Sequence, residues 1–212
     1  MAGKKLIEMV CKGNHGRSPV AELIVRNHLT SSGAIFDYDA ISSGTTVSLI
    51  ESGNYSASTM IPIIYLGIGR NLYQPSEVRE IEQVIRKEDV GVLKKYFLQA
   101  VGTFCPEEDM WRREALFHLG ISGTLKKGRD QTVVRSDVVA VFSMDQKNNG
   151  LVEKMYEPSD RKPIIDVLSK FATRDPNAQV VNAFGRTRDM YMRGIQQLVD
   201  EAPLAVDRII HA

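Results

Sequence analysis

The chain has 212 residues, 43% of them apolar and 25% charged, with a formal net charge of +1. This is the composition of an ordinary globular protein, and it gives no electrostatic reason to expect nucleic acid or a charged membrane as partner. No run of ~18 apolar residues occurs, so no membrane-spanning helix is predicted.

Met1-Ala2-Gly3-Lys4-Lys5 leads into an apolar stretch too short for a signal peptide, which reads better as a first strand over residues 5–10. A helix is expected over 19–31 and a second strand over 37–43. Residues 47–119 change character. An apolar, glycine-containing portion (60–69) precedes a helix over 75–87, opened by Pro75-Ser76-Glu77, with Val78, Ile81, Val84 and Ile85 on one face. A helix over 88–100 would turn Val92, Leu93, Tyr96 and Phe97 inward. Another over 106–119 would hold Trp111, Leu116 and Phe117. The near-continuous apolar run at 137–144 suits a buried parallel strand. A helix over 146–156, a strand over 162–167 and a helix over 186–201 follow, the last with Met190, Ile195 and Leu198 inward. The tail at 204–210 would continue helical. Alternating strands and helices predict one α/β domain, residues 1–212, with a parallel sheet. Ligands in such sheets bind beyond the carboxyl ends of the strands. Cys11 lies at such an end and Asp175 follows the fourth strand, so both can face one crevice.

The first strand runs into Cys11-Lys12-Gly13-Asn14-His15-Gly16-Arg17-Ser18-Pro19. A thiol attacks phosphorus well only as a thiolate, and a free cysteine has a pKa of about 8.5. Three features here would stabilise the anion and bind a phosphate dianion. The backbone N–H groups of residues 12–17 would form an anion nest. The following helix would aim its N-terminus at the same point. Arg17 would clamp two phosphoryl oxygens. Gly13 and Gly16 are expected to allow positive φ, and Asn14 tolerates it better than most residues. Cys11 would be the nucleophile, and Ser18 could hydrogen-bond its thiolate. Lys12, Gly13, Asn14, His15, Gly16, Arg17 and Ser18 form the candidate phosphate-binding loop. Two cysteines, Cys11 and Cys105, suit a reducing cytoplasm, the expected location. No metal-ligand spacing appears among them and the four histidines, so no metal and no cofactor is expected.

At this loop the chain resembles the low-molecular-weight protein tyrosine phosphatases and the arsenate reductases that share their fold. Their loop reads roughly Cys-x-Gly-Asn-x-Cys-Arg-Ser-Pro. Cys11, Gly13, Asn14, Arg17, Ser18 and Pro19 match it. Gly16 departs from it, replacing a second cysteine that can form a protective disulfide. Ile41-Ser42-Ser43-Gly44-Thr45 resembles the family's second strand end, with Ser42 where a serine supports Asn14. Gly120-Ile121 and Arg129-Asp130-Gln131 resemble the approach to the third strand, Lys126 standing where many members have histidine. Residues 136–145 resemble that strand and its Met-Asp end. The resemblance implies a four-stranded parallel sheet flanked by helices on both faces, with residues 47–119 as a mainly helical insertion after strand two.

Asp175-Pro176 resembles the motif that carries the family's general acid. Pro176 restricts Asp175 to extended conformations, which lets its side chain project from a loop. Asp145 and Asp166 are weaker candidates, and Asp145 is expected to cap the next helix. The implied activity is phosphomonoester hydrolysis through a cysteinyl-phosphate, with a phosphorylated protein or a small phosphate ester as partner. Phosphotyrosine is the default substrate, yet Asn177 replaces the usual aromatic residue after Asp-Pro. Phosphoarginine or a small ester stays open. Tyr55, Phe184 or Tyr191 could supply the missing wall, and His15 could contact the leaving group or be a plain loop residue. The insertion could cap the site, build a homodimer or merely decorate the fold. Two other readings stand beside this one. An arsenate reductase would need a resolving thiol, for which Cys105 is the remaining cysteine. A non-catalytic module would bind a phosphate ligand without turnover.

Overall fold

The computed structural model describes residues 3–125, 130–160 and 162–211. Four strands, β1 (Lys5–Cys11), β2 (Tyr38–Gly44), β3 (Val138–Ser143) and β4 (Ile164–Val167), form one sheet in the order β2-β1-β3-β4. All three pairings are parallel, as expected. β1 is central, and its alternation decides where the chemistry lies. Ile7, Met9 and Cys11 point into one core, whereas Val10 points into another on the opposite face.

Helices cover both faces. The first core holds α1 (Arg17–Ser31), α7 (Leu168–Thr173) and α8 (Arg188–Ile210), through Val20, Ile24, Leu168, Ile195, Leu198 and Val206. α6 (Gln146–Tyr156) covers the other face with Val152 and Tyr156. α8 runs on through Pro203, so the helix expected to stop near residue 201 absorbs the tail. Met190 is 36% exposed near its start, not inward as expected.

Residues 47–118 contribute α2 (Val47–Glu51), α3 (Ala57–Gly69), α4 (Pro75–Lys87) and α5 (Val90–His118) between β2 and β3. α4 has the expected bounds, with Pro75 in its first turn and a capping box between Gln74 and Glu77. The apolar stretch over 60–69 is helical, inside α3. The two helices expected over 88–100 and 106–119 are one helix of 29 residues that continues through Pro106. A proline inside a helix costs about 3 kcal/mol. Here Leu93, Tyr96, Ala100, Phe104, Trp111 and Ala115 make one unbroken buried stripe across it. Burying each large side chain contributes roughly 1.5–3 kcal/mol, which offsets the proline. Met60, Ile64, Ile81, Leu93, Tyr96, Phe97 and Phe104 close a separate core between α3, α4 and α5. Phe117, expected within this helix, lies in its last turn and is 82% exposed. No helix among the described residues is long and apolar enough to cross a membrane.

Candidate active site

Cys11 ends β1, and the chain turns through residues 12–16 into α1, whose first residue is Arg17. Ser18 Oγ lies 3.0 Å from Cys11 Sγ, 3.1 Å from Asn14 Oδ1 and 3.1 Å from the Ser43 carbonyl. One hydroxyl proton serves these three acceptors, so ionisation of Cys11 would draw it to sulfur. Within the loop, positive φ falls on Asn14 alone, at 45°. The expectation that Gly13 and Gly16 adopt it is therefore corrected. A Cβ at residue 13 would lie 3.0 Å from Ile50 Cδ1, the mobile end of a side chain, and one at 16 would lie 3.4 Å from Glu108 Oε2, an ordinary contact.

The end of β2 forms the floor of the loop. Thr45 and Thr46 donate their backbone N–H groups to the carbonyls of Cys11 and Lys12, at 3.0 and 2.9 Å. Asn14 Nδ2 donates to the Ser42 carbonyl at 3.3 Å, while the Ser42 hydroxyl donates to Glu22 at 2.7 Å. Ser42 thus meets Asn14 through its backbone carbonyl. Gln131 Nε2 donates to the Thr45 carbonyl, and Asp130 accepts from Gly44 N–H. Lys126 and Arg129 lie outside the described residues. A Cβ on Gly44 would sit 2.7 Å from Asn14 N and 2.8 Å from the Lys12 carbonyl. Both are backbone atoms, so the loop itself would have to shift. Gly44→Ala is expected to cost roughly 1–3 kcal/mol in urea unfolding. It should also weaken inorganic phosphate binding, read by calorimetry, about tenfold or more.

Arg17 is held at both ends of its guanidinium. Nη2 donates to Asp145 Oδ2 at 2.9 Å and Nη1 to the Val180 carbonyl at 3.2 Å. The other oxygen of Asp145 accepts from Asn148 N–H at 2.9 Å, the expected helix cap. α5 packs against the loop from the side. Arg112 donates to the His15 carbonyl and pairs with Asp109, and His15 Nε2 lies 3.6 Å from Asp109. One turn earlier on the buried face stands Glu108, 3% exposed beside Gly16. Burial pushes its carboxyl up from 4.5 to about 7, against the pull of Arg112 and Arg17 and with a push from Asp109.

That shift has a stability consequence. Between about pH 4.5 and 7 the folded state holds a proton that the unfolded chain has lost. The contribution from Glu108 is therefore full below about 4.5 and is lost as pH rises toward 7. Glu108→Gln is expected to stabilise the fold at pH 8 by up to roughly 3 kcal/mol, and much less at pH 5. Urea midpoints of both forms at the two pH values check this.

Asp175 sits in an exposed turn after α7, where its Oδ1 accepts from Asn177 N–H at 2.9 Å. The segment that meets the loop lies further on, at Val180, and residues 178–185 carry no carboxylate. Asp166 pairs with Lys170 at 3.0 Å, on the side lined by Phe171 and Arg208. Among the three aromatic candidates, Tyr191 is buried next to Trp111, while Tyr55 and Phe184 pack on Phe97 and Phe104. Cys105 is partly buried on α5 and forms no disulfide with Cys11. Glu108 and Arg112 were missed by sequence reasoning. The available signal was spacing: Glu108 follows Phe104 by four and precedes Trp111 by three, a position on the buried stripe.

No family model matches the chain, and no curated protein matches it. Solved structures do. A protein tyrosine phosphatase from Entamoeba histolytica superimposes with a TM-score of 0.59 at 16% identity, covering 98% of each chain. A low-molecular-weight phosphotyrosine phosphatase from Vibrio cholerae gives 0.57 at 17% identity, covering 97% of each. The arginine phosphatase YwlE, as a mutant with a phosphorylated active-site serine, gives 0.57 at 14% identity, covering 97% of this chain and 95% of its own. At this identity the likeness establishes the fold, which is that of the low-molecular-weight protein tyrosine phosphatases.

Proposed function

We propose that the chain is a cysteine-dependent phosphomonoesterase working through a phosphocysteine intermediate. The observation that carries this reading is the Ser18 hydroxyl 3.0 Å from Cys11 Sγ, at the start of the helix that also presents Arg17. The Cys11 thiolate attacks phosphorus and forms the S–P bond as the ester P–O bond breaks. The loop amides and Arg17 hold the equatorial oxygens as charge develops. An acid gives its proton to the leaving oxygen, then takes one from the water that cleaves the S–P bond. Phosphorylated protein side chains are the proposed substrate class. Phosphotyrosine is the first to test, and phosphoarginine the second because one structural neighbour is an arginine phosphatase. Contact of Glu108 and Arg112 with the loop supports a working role for the helical segment at 47–119, read as an insertion. A cytoplasmic location and a homodimer through that segment complete the proposal. Exposure of Met110 and Phe117 on α5 supports the dimer, which sedimentation tests.

Asp175 is the proposed acid. It is exposed, five residues before Val180, and its carboxylate is engaged only by a local turn N–H among the bonds described. Asp175→Asn is expected to lower kcat by roughly 10²–10³ for phenyl phosphate, whose leaving group needs a proton. The loss should be smaller for para-nitrophenyl phosphate. Equal, small losses on both substrates would remove Asp175 from the role.

A further inference from the structure

α5 brings a buried carboxyl to the edge of the anion loop. Glu108 Oε2 is 3.4 Å from where a Cβ of residue 16 would stand, and residue 16 is the last before Arg17. The charged and titratable groups around it come from three elements. Arg112 and Asp109 share α5, Arg17 begins α1, and Tyr191 faces it from α8. His15, on the loop, faces Asp109. Arg112 is committed to Asp109 and to the His15 carbonyl, so it clamps the loop. Arg17 is committed to Asp145 and Val180. Glu108 is placed where its charge is felt by Arg17 and by anything Arg17 binds.

We propose that Glu108 is a positioning residue whose charge sets the affinity of the loop for dianions: neutral, it backs Gly16 and leaves the field of Arg17 to the ligand; ionised, it shares that field and repels the incoming dianion. This rests on the reading of the loop as a phosphate site. The opposite arrangement, a carboxylate needed to neutralise a clustered positive charge, fits poorly because Arg112 and Arg17 each already have an acidic partner. The elevated proton affinity of Glu108 supports the same picture, since it places the charge change near neutral pH. Burial also keeps Tyr191 a neutral phenol across this range, so it adds no second switch. A dianion that binds near neutral pH should then draw a proton onto Glu108, which is linkage in its simplest form.

The test uses sulfate, a dianion that does not titrate here, and Cys11→Ser, which removes the nucleophile's own charge. Binding is followed by calorimetry from pH 5.5 to 8.5, in two buffers of different ionisation heat. Affinity should fall by roughly tenfold or more across this range, since two like unit charges even ~10 Å apart repel by roughly 1.5 kcal/mol, about that factor, at an interior dielectric of about 20. Near pH 7, binding should take up a fraction of a proton. Adding His15→Gln should leave both effects in place. Adding Glu108→Gln should flatten the profile, hold the affinity at pH 8.5 near its low-pH value and abolish the uptake. Glu108→Met, uncharged and of similar volume, should do the same and serves if the amide fails to fold. An unchanged slope in these variants, or a slope that follows His15, overturns the proposal. If the parent binds no sulfate at any pH and the wild type hydrolyses nothing, the phosphate-loop reading falls with it. If the wild type is an active phosphatase and sulfate binding ignores pH, the role of Glu108 alone is wrong.

Discussion

Cys11→Ser is expected to abolish hydrolysis of para-nitrophenyl phosphate, with a loss of at least ~10³-fold in kcat. The argument is chemical. A thiolate is available within a few units of neutral pH, whereas a serine hydroxyl is not, so the residual rate must come from a much weaker nucleophile. The substitution should leave the fold intact. Cys11 is 5% exposed at the end of a central strand, and an oxygen in place of sulfur keeps the hydrogen bond from Ser18 feasible. Inorganic phosphate should bind the variant at least as well as the wild type, because a neutral hydroxyl in place of the sulfur cannot repel a dianion. Equal loss of binding and turnover would show instead that the substitution collapsed the loop.

Arg17→Lys is expected to lower kcat/KM by roughly 10²–10³ while retaining a positive charge. The guanidinium reaches two partners, Asp145 Oδ2 and the Val180 carbonyl, which together fix its plane. A lysine ammonium is a point charge and cannot fill both contacts and present a two-pronged face to a phosphoryl group. Most of the loss should fall on kcat, since the planar clamp fits the equatorial oxygens of the transition state. A variant that loses only a few-fold in kcat/KM would show that Arg17 supplies bulk charge alone. Michaelis parameters for wild type and variant at one ionic strength decide between these.

Much of this was legible in the sequence because the signals were short-range and redundant. Apolar runs marked the first and third strands, and the strand-loop-helix setting of Cys11 and Arg17 placed the loop at one sheet end. The cap at Asp145 was legible too, since an acidic residue at the start of a helix has a standard use. Its second oxygen, on Arg17, was not, because that contact joins residues far apart in the chain. Pro106 misled: local propensity reads it as a helix start, yet the buried stripe from Leu93 to Ala115 carries one helix across it. Glycine misled in a different way. Gly13 and Gly16 were expected for their dihedral freedom, whereas neither takes positive φ and Asn14 does. The Pro106 misreading has its source in tertiary packing along α5, which no local rule supplies.

The central claim is that Cys11 carries the phosphoryl group during turnover. Rapid-quench reaction of the wild type with para-nitrophenyl phosphate, followed by peptide mass mapping, tests it most directly. The account predicts one phosphoryl group on the peptide containing Cys11, formed no more slowly than steady-state turnover, and missing from Cys11→Ala. Turnover with no phosphorylated Cys11 peptide at any quench time, or turnover undiminished in Cys11→Ala, would contradict it.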